Sequence, residues 1–162
     1  MSALAVLLSR YTGAKKIPIG TITANRNERE FQKLMGPLLN TLVVSCEISE
    51  GDTWRELLHR HSQVCNEALR RQELPFNKLL NSLEVSRDLG LHPLFQVMLV
   101  CQNVPDQYQA GEMRTEVVKV DYQTTKLDLN FWVEEINDSI VLTLYYASNL
   151  FERITIQRLL DH

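Results

Sequence analysis

Apolar residues recur along this chain with two different periods, and the changes of period outline its elements. From Ser2 to Tyr11, the residues Leu4, Leu7, Leu8 and Tyr11 fall on one helical stripe, and Thr12-Gly13 stops it. The stripe begins at residue 2 with no loop before it, which suggests a chain cut from something longer, although Ser2 can itself cap the helix. Ile17 to Ala24 reads as a strand, opened by Pro18 and closed by the polar run Asn25–Arg29. Glu28 to Met35 reads as a short helix broken by Gly36-Pro37. Leu38 to Ile48 is almost continuously apolar and holds two valines, the pattern of a strand covered on both faces.

Glu50-Gly51-Asp52 is a turn, after which Thr53 caps a helix and Glu56, three residues on, reaches back to the cap amide. Trp54, Leu57, Leu58, His61, Val64, Cys65 and Ala68 follow at helical spacing, giving the longest helix, which ends near Gln72. Pro75 starts another short helix with Phe76, Leu79, Leu80 and Leu83 inward. Pro93 to Gln102 is a second buried strand, Asn103 to Gly111 a polar loop, and Thr115 to Val120 a short strand. Leu127, Leu129, Phe131 and Val133 alternate with polar residues, and Ile140, Leu142, Leu144 and Tyr146 alternate again beyond Asn137-Asp138, so the two runs form an antiparallel hairpin. A helix from Phe151 to Leu160, capped by Ser148 or Asn149, closes the chain. Strands and helices are mixed, with an antiparallel end and no internal repeat. The fold class is therefore α/β: one mixed, largely antiparallel sheet packed with helices.

At 162 residues the chain fits a single domain, 1–162. A net charge of −3 with scattered basic residues implies neither a nucleic-acid partner nor an anionic membrane surface. No apolar stretch approaches the roughly 20 residues of a membrane span. The cysteines Cys46, Cys65 and Cys101 each sit in an apolar run and read as three reduced, buried thiols of a cytoplasmic protein.

Candidate chemistry is sparse. His59 and His61 are two apart on a helix and point about 200° apart, so they cannot share a ligand. His61 and Cys65 are four apart, yet two ligands make a weak metal site and no third is evident; a histidine packed at the core edge is the plainer reading. His92 precedes Pro93 in a turn and reads as structural or solvated. There is no Gly-x-Ser-x-Gly elbow, no cysteine with a positioned histidine and no glycine-rich phosphate loop. Glu134 and Glu135 alternate faces of a strand, and Asp128 suits a solvated strand face. The residues alone describe an α/β domain with no self-contained active site.

Three patterns in fixed order add more: Met35-Gly36-Pro37-Leu38-Leu39-Asn40-Thr41-Leu42, then Gln72-Glu73-Leu74-Pro75-Phe76, then Arg87-Asp88-Leu89-Gly90-Leu91-His92-Pro93-Leu94. They resemble the IGxFVNTL, QDxPFE and RDxSRNPL motifs of the condensation domains of nonribosomal peptide synthetases. Leu7 to Gly13 and Ile19 to Arg26 resemble that family's RYTG…GTPxxGR stretch, and Lys126 to Leu129 with Tyr146 to Phe151 resemble its ending. There are departures: Ser45 stands where an arginine usually follows NTLxx, Glu73 and Asn77 replace Asp and Glu, and Gly90-Leu91-His92 replaces Ser-Arg-Asn. The family's His-His-x-x-x-Asp-Gly motif has no counterpart, since the chain contains neither adjacent histidines nor an Asp-Gly pair.

The resemblance implies the C-terminal half-domain of a chloramphenicol-acetyltransferase-like fold, inactive without the N-terminal lobe that carries the catalytic histidine. It implies no directly bound cofactor, since the phosphopantetheine arms belong to peptidyl or acyl carrier proteins that approach a tunnel between the lobes. Asn40 and Thr41 then line that tunnel or brace a neighbouring loop; Pro75, Phe76, Arg87, Asp88 and Pro93 belong to the same tunnel or structural motifs, with Arg87-Asp88 a structural turn pair. Segment 103–125 corresponds to an arm crossing to the other lobe. The uncovered cleft face or that arm implies homodimer formation as well as partnership with an N-terminal lobe. Two alternatives stand beside this one: a non-catalytic carrier-protein or domain-docking module of the same fold, and a lobe of an ester-forming or coenzyme-A-dependent acyltransferase.

Overall fold

The computed structural model describes residues 1–83, 92–102, 109–110, 113–114, 124–136 and 138–162. The Arg87-Asp88 pair, the 115–120 strand and most of the crossing arm lie outside them.

The first helix, α1 (Ser2–Thr12), buries Ala5 and Leu8 and ends at Gly13, whose φ of 73° is the left-handed conformation that a helix C-cap needs. The Gly13 amide donates to Ser9 O at 2.8 Å. Ser2 does not cap the helix; its hydroxyl lies 3.1 Å from His61 Nδ1. Strand β1 (Lys16–Thr23) follows, then a helix of one turn, α2 (Arg29–Gln32). The longer helix expected over 28–35 does not form, because none of α2 is buried and nothing packs against it to hold further turns. Strand β2 (Asn40–Glu47) pairs antiparallel with β1 through eight residues.

Helix α3 (Trp54–Arg70) starts with the expected capping box: the Glu56 amide donates to Thr53 Oγ1 at 3.3 Å, and the Thr53 amide donates to Glu56 Oε2 at 2.9 Å. The Thr53 hydroxyl also donates to Glu56 Oε2 at 2.7 Å, and this bond first, with the Thr53 amide second, holds the Glu56 carboxyl below its usual range. Leu57 and His61 face the sheet, whereas Trp54 and Leu58, which share their helical spacing, are exposed. The inward stripe is narrower than the apolar pattern. Helix α4 (Phe76–Ser82) follows Pro75, but Leu83 beyond its end is exposed.

Strand β3 (Val97–Gln102) comes next, then short pieces β4 (Gln109–Ala110) and β5 (Met113–Arg114), which pair with each other. Part of the expected polar loop is thus extended and paired. Strands β6 (Leu129–Ile136) and β7 (Ser139–Tyr146) make the expected hairpin, with Asp138 in the turn at φ 60°. Helix α5 (Arg153–Asp161) closes the chain. Neither Ser148 nor Asn149 caps it: the helix starts later, at Glu152, with no side-chain cap.

Among the described residues five strands form one sheet in the order β2-β1-β3-β6-β7. Its centre is parallel, with β3 beside both β1 and β6, and both flanks are antiparallel. In this order β2 lies at one edge, and its continuous apolar run does not mean equal cover on both faces. Its buried residues alternate: Leu42, Val44 and Cys46 face the helices, and the residues between them are half-buried.

One hydrophobic core fills the space between α1, α3, α5 and one face of the sheet. Ala5 and Leu8 from α1, and Ile156 and Leu159 from α5, meet Ile19, Val44, Leu99 and Phe131 from the strands. His61 is buried at the rim of this core. Its Nε2 lies 3.0 Å from Glu47 O, an atom that only accepts, so Nε2 carries the proton and, in the neutral ring, Nδ1 accepts from Ser2. Cys46 is buried, and burial with Cys65 nearby pushes its thiol up to about 11. Cys65 is only partly buried and Cys101 is exposed, so the expectation of three buried thiols holds for Cys46 alone; all three are free.

Candidate site on the open sheet face

The helices cover one face of the sheet. The opposite face carries Gly20, Val43, Met98, Asn130 and Tyr145 in one row across the five strands, and Thr41, Ile22, Val100, Trp132 and Thr143 in the next. Most of these side chains are only half-buried.

Phe95 packs on this face over β1. It is 1% exposed, and its ring lies where a side chain on Gly20 would point: a Cβ there would come within 2.3 Å of Phe95 Cε2. Glycine inside a strand marks such a close approach. Phe76, at the start of α4, meets the Phe95 ring edge-on at 6.1 Å between centroids. His92 completes the group, 4.0 Å from Phe95 and stacked on Phe76 at 5.6 Å. His92 Nδ1 is buried without a hydrogen-bond partner among the described residues. Burial lowers the affinity of this ring for a proton, partly offset by a hydrogen bond with the Phe95 backbone.

This arrangement has a pH consequence. The folded ring protonates less readily than an unfolded one, whose value is near 6.5. Stability is therefore full above that value and falls as pH drops from it towards the lower folded value. Urea melts at about pH 7.5, 6.5 and 5.5, a window set by the free-histidine value, are expected to show the stability gap between wild type and the non-titrating His92→Asn narrowing or reversing on acidification. A pH-independent gap would remove His92 from the account.

Asn40 anchors the segment that carries Phe76. Its Nδ2 donates to Gln72 O and Leu74 O, both at 2.7 Å, and its Oδ1 accepts from the Phe76 amide at 3.1 Å and from its own neighbour Thr41 at 3.0 Å. Both amide protons and both oxygen lone pairs are engaged, so Asn40 braces a loop. Thr41, next along the strand, faces the open side opposite Ile22. Pro75 is exposed at the N-cap of α4, and Pro93 is half-buried beside His92. The structure thus joins Asn40, Pro75, Phe76 and Pro93 in one corner and sets Thr41 on the adjoining face.

Other residues in or beside the motif stretches have roles that the sequence alone does not show. The buried Gln72 side chain accepts from the Thr23 hydroxyl, tying the α3–α4 turn to the end of β1. Arg26 donates to Phe31 O, to Leu34 O at 2.7 Å and to Gly36 O at 3.1 Å, which shapes the loop after β1. Gly20 is the sequence signal for Phe95: it is a glycine between apolar β-formers in a strand. Two further polar atoms, Ser45 Oγ and Asn130 Oδ1, are buried without partners among the described residues, and their register puts both on the open face.

Among the described residues no three His, Cys, Asp or Glu side chains gather as metal ligands, and no helix is long and apolar enough to cross a membrane. What the face offers among the described residues is shape and an aromatic corner.

A family model described as the Condensation domain matches residues 1–162. The chain is 32% identical over 163 residues to surfactin synthase subunit 1 of Bacillus subtilis (strain 168), covering 100% of this chain and 4% of that protein. It is 35% identical over 159 residues to malpinin synthetase of Mortierella alpina, covering 98% of this chain and 2% of the relative. It therefore spans only a few hundredths of the curated relatives that it matches. Among solved structures, the X-domain from teicoplanin biosynthesis superposes with a TM-score of 0.84 at 28% identity, over 98% of this chain and 37% of that one. A four-domain nonribosomal peptide synthetase bound to AMP and glycine gives a TM-score of 0.86 over 98% of this chain and 13% of that one; at 21% identity this likeness speaks for the fold alone.

Proposed function

The chain belongs to the condensation-domain family, and from that premise we propose that it forms the C-terminal lobe of a condensation domain in a nonribosomal peptide synthetase. The observation that carries this reading is the family match along all of residues 1–162, with the chloramphenicol-acetyltransferase-like architecture to go with it.

In the parent reaction the amine of a carrier-bound acceptor attacks the carbonyl of a carrier-bound donor thioester. The new C–N bond replaces the C–S bond, and the amine proton leaves by way of a base as the donor's thiol is released. The base belongs to the His-His-x-x-x-Asp-Gly motif, which this sequence does not contain. The role of the present residues is to wall the tunnel. Phe95, seated on Gly20 and held by Phe76 and His92, gives that wall a firm apolar patch. The lobe binds no cofactor of its own, works in the cytoplasm with peptidyl or acyl carrier proteins, and turns over no substrate alone.

The decisive experiment mixes the purified chain with a separately expressed N-terminal lobe and aminoacyl-loaded carrier proteins, and follows dipeptide by mass spectrometry. Product only in the mixture is expected. Product from the chain alone would overturn the reading. One observation favours a second: the teicoplanin X-domain, 28% identical to this chain, has been solved in complex with OxyB. Stable binding to carrier or lobe without product would favour such a docking role. Replacing the acceptor amine by a hydroxyl separates amide from ester formation.

A further inference from the structure

The two edges of the sheet differ. At β2 the Glu47 carbonyl is taken by His61 Nε2 and by Arg60 Nη2, both at 3.0 Å, and Asn40 at the other end is locked to the 72–76 segment. Glu47 itself pairs with Lys16 at 3.0 Å. Helix side chains and charges thus secure that edge.

Among the described residues strand β7 has none of these protections. Residues 139–146 contain no charge, no proline and no glycine. The strand pairs with β6 in an unbroken register from Ser139 to Tyr146, so no bulge turns it away. Among the described residues its outer side faces no other strand. Its first half is also apolar and uncovered: Ile140 is 78% and Leu142 46% exposed, and Val141 is exposed as well. Long, flat, uncharged edges are the ones natural proteins usually guard with lysine, proline or a bulge.

We propose that β7 pairs antiparallel with β7 of a second copy of this chain, joining two five-stranded sheets into one. A second copy fits for two reasons. An antiparallel strand is its own hydrogen-bonding complement about a two-fold axis. An uncharged strand gives a charged partner nothing to recognise, while self-pairing needs no charge complement. With the axis at Leu142, the helices of both copies stay on one side of the joined sheet, and Leu142 meets its own copy. Ile140 lies opposite Leu144 of the second copy, and each Asp138 is carried to the far end, beside Tyr146 of the other copy, so like charges do not meet. This surface is distinct from the open face.

The test is sedimentation of the chain across roughly 1 to 100 micromolar, the range of a moderate association, with amide exchange read at both ends. A doubling of mass is expected, with β7 amides slowing about tenfold or more at the high end. Ile140→Lys/Leu142→Lys is expected to remain monomeric with an unchanged circular dichroism spectrum. Ile140→Lys alone, at a site too exposed to disturb the core, decides the matter if the double variant does not fold. A wild type that stays monomeric throughout overturns the proposal. So does a dimer that persists in the variants, which would place self-association on the cleft or the arm.

Discussion

Asn40→Ala is expected to destabilise the protein by about 3 kcal/mol, the largest loss from truncating any single polar side chain. Four backbone groups lose their partner at once: the carbonyls of Gln72 and Leu74 and the amides of Thr41 and Phe76. Leaving one buried polar group unsatisfied costs roughly 1–3 kcal/mol, and water can reach some of these four, which keeps the total near the upper end of one such cost. Asn40→Asp keeps the acceptor but sets a carboxylate oxygen against the Gln72 and Leu74 carbonyls, so it should cost at least as much as alanine. Urea unfolding monitored by circular dichroism gives the values. A change under about 0.5 kcal/mol, the size of an ordinary surface substitution, would mean that the loop holds itself. The variant also bears on the site: a loosened 72–76 segment releases Phe76, so the aromatic corner should lose its order even where the sheet survives.

Gly20→Val is expected to cost about as much, for a different reason. The new side chain must enter the volume of the Phe95 ring, which a Cβ alone would meet at 2.3 to 2.7 Å. Overpacking of a filled site costs roughly 1–3 kcal/mol, sometimes more. The backbone of Gly20 is ordinary strand, so the penalty is steric rather than torsional. Phe95→Leu alone should also destabilise, yet it makes room for the valine. The double variant should therefore be more stable than the two single losses predict. Strict additivity in the cycle would show that the two residues do not touch in solution.

Local signals carried much of this fold in the sequence. The α1 stripe ending at Gly13, the Thr53–Glu56 box and the β6–β7 alternation each depend on neighbours a few residues away, so periodicity finds them. The failures share the opposite cause. Strand β2 reads as covered on both faces because its apolar content is high, but which face the helices cover depends on elements far off in sequence. Trp54 and Leu58 match the helical stripe and still face outward, since the sheet underlies only part of it. Helix α2 stops after one turn because nothing packs on it. At the site, an asparagine at a strand end leaves two readings open, and only the position of the 72–76 carbonyls shows which loop it holds. Gln72 and Phe95 lie in or beside the motif stretches, but their contacts, with Thr23 and Gly20, are set by the tertiary arrangement alone.

The parallel centre of the sheet has a kinetic consequence during synthesis. Strand β3 sits between β1, completed by residue 23, and β6, which is not finished until residue 136. Until then the ribosome has released a chain whose middle strand has a neighbour on one side only, joined to it across a long intervening stretch. Contacts between distant segments are slow to form because the chain between them must first be gathered in. The β6–β7 hairpin closes quickly once made, so residues 129–146 are what complete the pairing of β3 begun by β1. Nascent chains of this protein are accordingly expected to lean on chaperones until the hairpin clears the exit tunnel.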